Sequence, residues 1–393
     1  MKVYLDHAAT TPCDERVVNA MLPFFTEQFG NADSQHAYGR ETAKAVADAR
    51  ETIARIINCA PNELYFTGSG TEADNWALKG AALARKNRGN HVIISAIEHH
   101  AILNSAAWLE KEGFVVTKLP VDKTGLVSVE DLEKAMTDKT VLVSVMYANN
   151  EVGTIQPIKQ LARVAHEHGA LFHSDCVQAM PYLKVDVKDL GLDLMTMSGH
   201  KFYGPKGVGA LYIRNGVKLE KLISGGGQER SQRGGTTNTP AVVGMAKALE
   251  IAVSEMQRNN DHIAKLRDHF VQRVLSEIPC VRFNGNVEHR VPSVANFSFE
   301  FVEGEGILML MDFHGVAVSS GSACSSGSLD PSHVLLAMGV PIEISHGSIR
   351  FSFGKNNTME ETDYTVEALK DTISKLREMS PLFNVKEGGT HNV

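Results

Sequence analysis

The sequence predicts an α/β protein: a mainly parallel, seven-stranded sheet covered by helices, followed by a smaller α+β unit. Three observations carry that expectation. Short apolar runs alternate with helical patterns over the first two-thirds of the chain, the rhythm of right-handed β–α–β crossovers. Several of these runs are apolar on both faces, as strands buried between helical layers require. After about Gly235 the texture changes to one long helical pattern and scattered short strands.

In chain order, residues 63–67 read as the first sheet strand and 72–86 as the helix after it. Residues 91–95 form the next strand, with a helix through 104–111. Strands at 114–119, 141–146, 170–173, 194–197 and 208–213 complete a set of seven, with helices at 130–135 and 158–168 between them. A single long helical pattern then runs from 241 to 275, with few turn residues. Beyond it, 281–283, 296–299, 316–319 and 348–353 read as short strands, and 304–313, 331–338 and 359–377 as helices. The last residues, 385–393, read as a frayed tail. No repeat or low-complexity tract interrupts this order.

Composition narrows the function classes. The chain has 393 residues, with 43% hydrophobic and 22% charged, the balance of an ordinary globular protein and not of a disordered one. Its 39 basic against 46 acidic side chains leave a net charge of −7, which supplies no electrostatic reason to bind nucleic acid. No run reaches the ~18 apolar residues of a membrane span, and the N-terminus lacks an apolar run of signal-peptide length. Cysteines at 13, 59, 176, 280 and 324 are odd in number and form no C-x-x-C pair, which speaks against a disulfide framework or a cysteine-only zinc site. Free thiols and a cytoplasmic location are expected.

Five segments carry chemistry. Phe66-Thr67-Gly68-Ser69-Gly70-Thr71-Glu72 ends a strand, turns on two glycines and starts a helix. Free N–H groups at a helix start favour an anion, and Ser69 and Thr71 add hydroxyls. A plain capping box between Ser69 and Glu72 explains the pattern equally well. In Ser198-Gly199-His200-Lys201, the lysine follows a strand at the carboxyl edge of the sheet, where α/β proteins bind ligands. A desolvated amine there can form a Schiff base, although most single lysines are surface residues. Asp175, in His173-Ser174-Asp175-Cys176-Val177-Gln178, also follows a strand end. It could pair with a protonated heterocycle nitrogen or cap a helix. Its separation from Lys201 fits one β–α–β step. Ala96-Ile97-Glu98-His99-His100 puts a histidine just past a strand, suited to ring stacking or acid–base work. No zinc spacing accompanies it, and His166-Glu167-His168 reads as a solvated helix end. Finally, Ser319-Ser320-Gly321-Ser322-Ala323-Cys324-Ser325-Ser326-Gly327-Ser328 cannot pack a core and reads as a mobile loop exposing one thiol.

Together these segments resemble the cysteine desulfurases of the NifS/IscS type, pyridoxal 5′-phosphate (PLP) enzymes of fold-type I, in the class-V aminotransferase-like branch. The resemblance runs from Tyr4-Leu5-Asp6-His7-Ala8-Ala9-Thr10-Thr11 to about Arg377. Its most specific parts are Ser198-Gly199-His200-Lys201 and the long cysteine loop, which is similar to the IscS-like group and not to the shorter SufS-like segment.

The resemblance implies a role for each site residue. Lys201 would carry PLP and move the Cα proton. Asp175 would pair with the pyridine nitrogen, Gln178 with the phenolic oxygen, and His99 would stack on the ring. Thr71, Ser198, His200 and the backbone at Gly70 would hold the phosphate. Thr236, in Arg233-Gly234-Gly235-Thr236, would reach the phosphate of a neighbouring subunit, which implies a homodimer. Arg350 and Asn150 would hold the substrate carboxylate. Cys324 would take sulfur from L-cysteine, leaving L-alanine, and pass it to an acceptor such as an iron–sulfur scaffold. No metal is implied. The implied division is 1–15 as an N-terminal arm of the small domain, 16–260 as the large PLP-binding domain, and 261–393 as the small domain with the cysteine loop at about 319–331. A selenocysteine lyase, an aminotransferase or a non-catalytic sulfur carrier are the competing expectations. Three departures from the family pattern stand out: Ala32-Asp33 without the usual proline, Gly70 for Ala, and Cys176 for Ala.

Overall fold

The computed structural model describes residues 1–320, 331–381 and 383. The chain opens with a short strand, β1 (Val3–Tyr4). The central sheet contains β2 (Leu64–Thr67), β3 (His91–Ser95), β4 (Val115–Leu119), β5 (Thr140–Ser144), β6 (Leu171–Asp175), β7 (Leu194–Ser198) and β8 (Gly209–Ile213). Their spatial order is β2-β8-β7-β6-β5-β3-β4. Only β8 runs against its neighbours, so the sheet is mainly parallel, as expected. Every residue of β3, β5, β6, β7 and β8 is buried, which is why these strands read as continuous apolar runs.

The second unit contains β9 (Val281–Asn284), β10 (Val294–Phe299), β11 (Val316–Ala317) and β12 (Ser348–Ser352). An antiparallel sheet of order β12-β10-β9 packs on Phe270, whose ring centroid lies 4.7 Å from that of Phe351. Strand β1 pairs in parallel with β11. The N-terminal arm is thereby tied to the C-terminal unit before it crosses to the central sheet. No helix among the described residues is long and apolar enough to cross a membrane.

The structure corrects three sequence expectations and adds a helix that they did not include. That helix is Ala37–Ile57, whose buried Val46, Ala49, Ile53 and Ile57 share one face. The helix expected at 72–86 starts at Gly70 and contains a π-helical stretch, Trp76–Gly80. The long pattern at 241–275 is two helices, Thr239–Ser254 and Met256–Glu277, joined at Glu255. His166 and His168 are not simply solvated: their Nε2 atoms lie 2.9 Å from the carboxylates of Asp193 and Glu133. The expected tail, 385–393, lies outside the described residues.

Candidate active site

Sheet topology brings the chemistry to one edge. Strands β2, β3, β5, β6 and β7 all end there, because β2 is antiparallel to β8 and β8 to β7. Gly209 pairs with Thr67 on one side and with Ser198 on the other. It thus draws the Ser69–Thr71 turn and the Lys201 turn together. A side chain at Gly209 would come within 2.5 Å of the Ser69 carbonyl carbon, so only glycine lets the helix start sit this close. Gly70 is similarly confined: a Cβ there would meet Ser198 Cβ and Val177 Cγ2 at 3.1 Å.

Lys201, Asp175, Gln178, His99, Gly70, Thr71, Ser198, His200, Arg350 and Asn150 all line a single cavity of about 440 Å³. Thr236 is exposed and does not line it. Cys324 and its neighbours from 321 to 330 lie outside the described residues.

At one end, the helix beginning at Gly70 is capped by Ser69, whose Oγ accepts from the Glu72 N–H at 3.1 Å. The reciprocal half of the expected capping box is missing. Glu72 instead accepts from the Gly68 N–H at 2.8 Å and forms a two-bond pair with Arg233. That pair fastens the segment bearing Thr236 to the turn that starts the Gly70 helix.

Lys201 ends a 3₁₀ turn, Gly199–Lys201, directly after β7. Its Nζ donates to the carbonyls of Ala8 and Ala9 at 2.5 and 2.7 Å. Gln178 Nε2 donates to the same Ala8 carbonyl at 2.9 Å. His200 Nδ1 lies 3.1 Å from Thr10 Oγ1. The arm at residues 8–10 therefore closes the cavity from above.

Asp175 ends β6 and is buried; its Oδ1 accepts from the Val177 N–H at 2.8 Å. Burial raises its pKa, opposed by that hydrogen bond and by the Lys201 charge. His99 caps the helix His100–Lys111, its Nδ1 accepting from the Ala101 N–H at 3.1 Å. Burial, with smaller contributions from Lys201, His100 and His333, pushes it down to about 4. The ring is thus neutral at pH 7, with its proton on Nε2. Burial likewise pushes His200 down to about 4.

The arrangement complements one kind of molecule. Helix-start amides and hydroxyls suit an anionic group, the Lys201 amine suits a carbonyl, and the buried Asp175 carboxyl suits a basic ring nitrogen. Among the described residues, no cluster of His, Cys, Asp and Glu could hold a metal ion.

Sequence reasoning missed Asp74. It lines the cavity, is buried, and its Oδ1 has no hydrogen-bond partner among the described residues. Burial and then the nearby Asp175 raise its pKa. The signal was present, since Asp74 lies three residues after Thr71 on the same helix face. The carbonyls of Ala8 and Ala9 carried no signal, because any residue supplies them.

Glu98, just before His99, is a further buried acid. Its Oε1 accepts from Ser95 Oγ and the Met146 N–H, while Oε2 has no partner. Burial pushes it up to about 8. Because this lies above the unfolded value of about 4.3, the contribution of Glu98 to stability is complete in acid and is lost as pH rises to about 8. The buried histidines act below about pH 6.5 and in the opposite sense, while Glu151, Asp175 and Asp74 are buried acids raised in the same sense, so the share of Glu98 is read as the difference between wild type and a Glu98 variant. Glu98→Gln removes this proton. Thermal unfolding should show wild type losing several degrees between pH 6.5 and 8 and the variant losing clearly less; equal losses would refute the assignment.

Comparison with known proteins gives the family. A family model described as aminotransferase class-V matches residues 3–365. The chain is 52% identical over 384 residues to a cysteine desulfurase IscS of Clostridium botulinum, covering 97% of each chain. Among solved structures, a NifS-like protein superposes with a TM-score of 0.90 at 39% identity, covering 95% of this chain and all of that one. The protein SspA, solved in complex with cysteine, gives 0.80 at 34% identity over 91% of this chain and all of that one. With its fold, its edge-of-sheet site and its full-length relatives in agreement, the chain belongs to the class-V aminotransferase family, among the cysteine desulfurases of the NifS/IscS type.

Proposed function

We propose that this chain is a PLP-dependent cysteine desulfurase that removes sulfur from L-cysteine, releases L-alanine and leaves a persulfide on Cys324 for transfer to an acceptor protein. The observation that carries this reading is the single cavity in which Lys201 stands with an anion cradle, a buried acid and the Arg350 guanidinium.

PLP fits the residues present. Ser69, Gly70, Thr71, Ser198 and His200 would hold its phosphate, Lys201 its aldehyde, Gln178 its phenolic oxygen and Asp175 its ring nitrogen. When bound, PLP supplies an electron sink that makes the Cα proton of an amino acid acidic and the Cβ–Sγ bond breakable. The chain's residues do the rest. Arg350, nearly fully buried on β12, offers N–H donors to the substrate carboxylate beside Asn150. The Lys201 amine takes up and returns the Cα proton. Neutral His99 would stack on the ring and can accept a proton. Asp175 keeps a negative charge opposite the ring nitrogen. The Cys324 thiolate attacks the substrate sulfur, forming an S–S bond as the Cβ–S bond breaks, and the carbon skeleton leaves as alanine.

A homodimer follows from the same reading. Phe25, Phe29 and Tyr38 are exposed, and Gln228 joins the Thr236 segment to the turn at Asp33: its side chain donates to Asp33 Oδ2 and accepts from the Gly235 N–H. This gives the Ala32-Asp33 departure a structural use. The division into an arm at 1–15, a large domain at 16–260 and a small domain at 261–393 is supported by the β1–β11 pairing. Cys176 is buried, and burial pushes its thiol well up, which suits a packed residue and not a second nucleophile. The iron–sulfur scaffold is the sulfur acceptor proposed, in the cytoplasm, where thiols stay reduced.

The test is to mix the PLP-loaded protein with L-cysteine and weigh the intact chain. The mass should rise by one or more sulfur atoms, mapped to Cys324. Cys324→Ser should lose both the added sulfur and L-alanine production. Sulfur mapped to another cysteine would overturn the nucleophile.

A further inference from the structure

Arg350 is a fixed cation in a buried place. It is 3% exposed, and a guanidinium does not deprotonate in a protein. Burial of such a charge is costly unless it is paired. The structure pairs it with Asp6: Nη2 donates to Asp6 Oδ1 at 2.9 Å, and Nη1 donates to the Asn150 carbonyl at 3.0 Å. Nε has no partner. Arg350 lines the cavity and Asp6 does not, so the carboxylate meets the guanidinium from outside the substrate space.

We infer that Asp6 is a standing counter-ion that lowers the affinity of the site for α-carboxylates, product as well as substrate. The inference rests on the reading of Arg350 as the carboxylate-binding group. An amino acid bound there shares one guanidinium with Asp6. Two carboxylates on one cation leave an excess negative charge, and their repulsion is weakly screened in a buried site. Arg350 has an anchor besides Asp6. The side chain springs from a fully buried strand and is also held by the Asn150 carbonyl.

Asp6 is itself well placed for this role. Its carbonyl accepts from the N–H groups of Ala9 and Thr10 and from the Tyr4 hydroxyl. Its side chain is 20% exposed and reaches the guanidinium from the solvent side. The consequence is kinetic. A site that gripped every α-carboxylate tightly would retain alanine after each turnover, whereas a tempered site releases it.

The test uses PLP-loaded enzyme and three ligands read by the cofactor's absorbance at equilibrium: L-cysteine with Cys324 replaced by Ser, L-alanine, and cysteamine, which lacks the carboxylate. Asp6→Asn keeps the size and an acceptor oxygen but removes the charge. It should tighten L-alanine and L-cysteine binding roughly tenfold and leave cysteamine within about twofold. Asp6→Ser, a second neutral variant, should act in the same direction, and Asp6→Glu should restore the wild-type values. In steady state, KM for L-cysteine should fall with Asp6→Asn while kcat does not rise. Unchanged or weakened L-alanine binding in the neutral variants, or an equal shift for cysteamine, overturns the proposal. Arg350→Ala reports separately on the underlying reading. If that variant binds L-alanine normally, Arg350 is not the carboxylate site; if it loses L-alanine while Asp6→Asn changes nothing, only the role of Asp6 fails.

Discussion

Replacing Lys201 by alanine should abolish turnover of L-cysteine and covalent retention of the cofactor together. The two losses have one cause. The Nζ atom stands at the cavity edge immediately after β7, where the 3₁₀ turn Gly199–Lys201 directs it toward the arm carbonyls. Lys206 also lines the cavity, in the turn that joins the end of β7 to β8, so peptide mapping has to distinguish the two amines. Loss of a positioned proton carrier alone costs on the order of 10²–10⁴-fold in rate. Loss of the covalent attachment adds to that. The check is borohydride treatment of the PLP-loaded protein, peptide mapping and a rate of L-alanine formation. Wild type should carry the fixed label at position 201 and Lys201→Ala none. A label at any other residue, or a variant within about tenfold of wild type, contradicts the role assigned to this amine.

Lys201 also shows what makes a site legible. It was readable because it stands in an unusual local pattern at a strand end, and so were Asp175, His99 and Thr71. The α/β alternation then placed those strand ends on one edge, so the grouping followed from topology alone. What escaped depends on tertiary neighbours that no short pattern announces. Glu72 has the right spacing for a capping box with Ser69, yet it turns to Arg233, 161 residues away. The Ala8 and Ala9 carbonyls reach Lys201 only because β1 is pinned to β11. The helix Ala37–Ile57 was overlooked although its pattern was present, since Val46, Ala49, Ile53 and Ile57 recur at helical spacing on its inner face. Helix ends were also displaced where local geometry gave no sequence cue, as at the π-helical stretch inside the helix that follows β2. The cysteine loop is the reverse case, since its composition alone singles out Cys324.

Asp175→Asn should move activity and stability in opposite directions. The substitution keeps shape and an acceptor oxygen for the Val177 N–H, which Asp175 now engages at 2.8 Å. It removes the charge that would keep the PLP ring nitrogen protonated. Loss of one preorganised electrostatic partner in a buried site costs roughly 10²–10³-fold in rate, and the measured turnover of the PLP-loaded variant should fall at least that far. In the cofactor-free protein the same carboxylate is a burden. It is buried, and Asp74 and Glu98 lie close enough to oppose its ionisation or be opposed by it. Its folded-state pKa is raised above the unfolded one, so its contribution to stability is complete in acid and is lost as pH climbs through the folded value. Asparagine carries no such dependence. Cofactor-free Asp175→Asn should therefore unfold at an equal or higher temperature than wild type at pH 8, and the advantage should shrink toward pH 5. PLP should reverse the order, stabilising wild type more, because only the carboxylate can repay its burial by pairing with a cationic ring. A variant that loses both rate and cofactor-free stability at pH 8 would show instead that Asp175 holds the fold together through its hydrogen bond, and its electrostatic role would have to be abandoned.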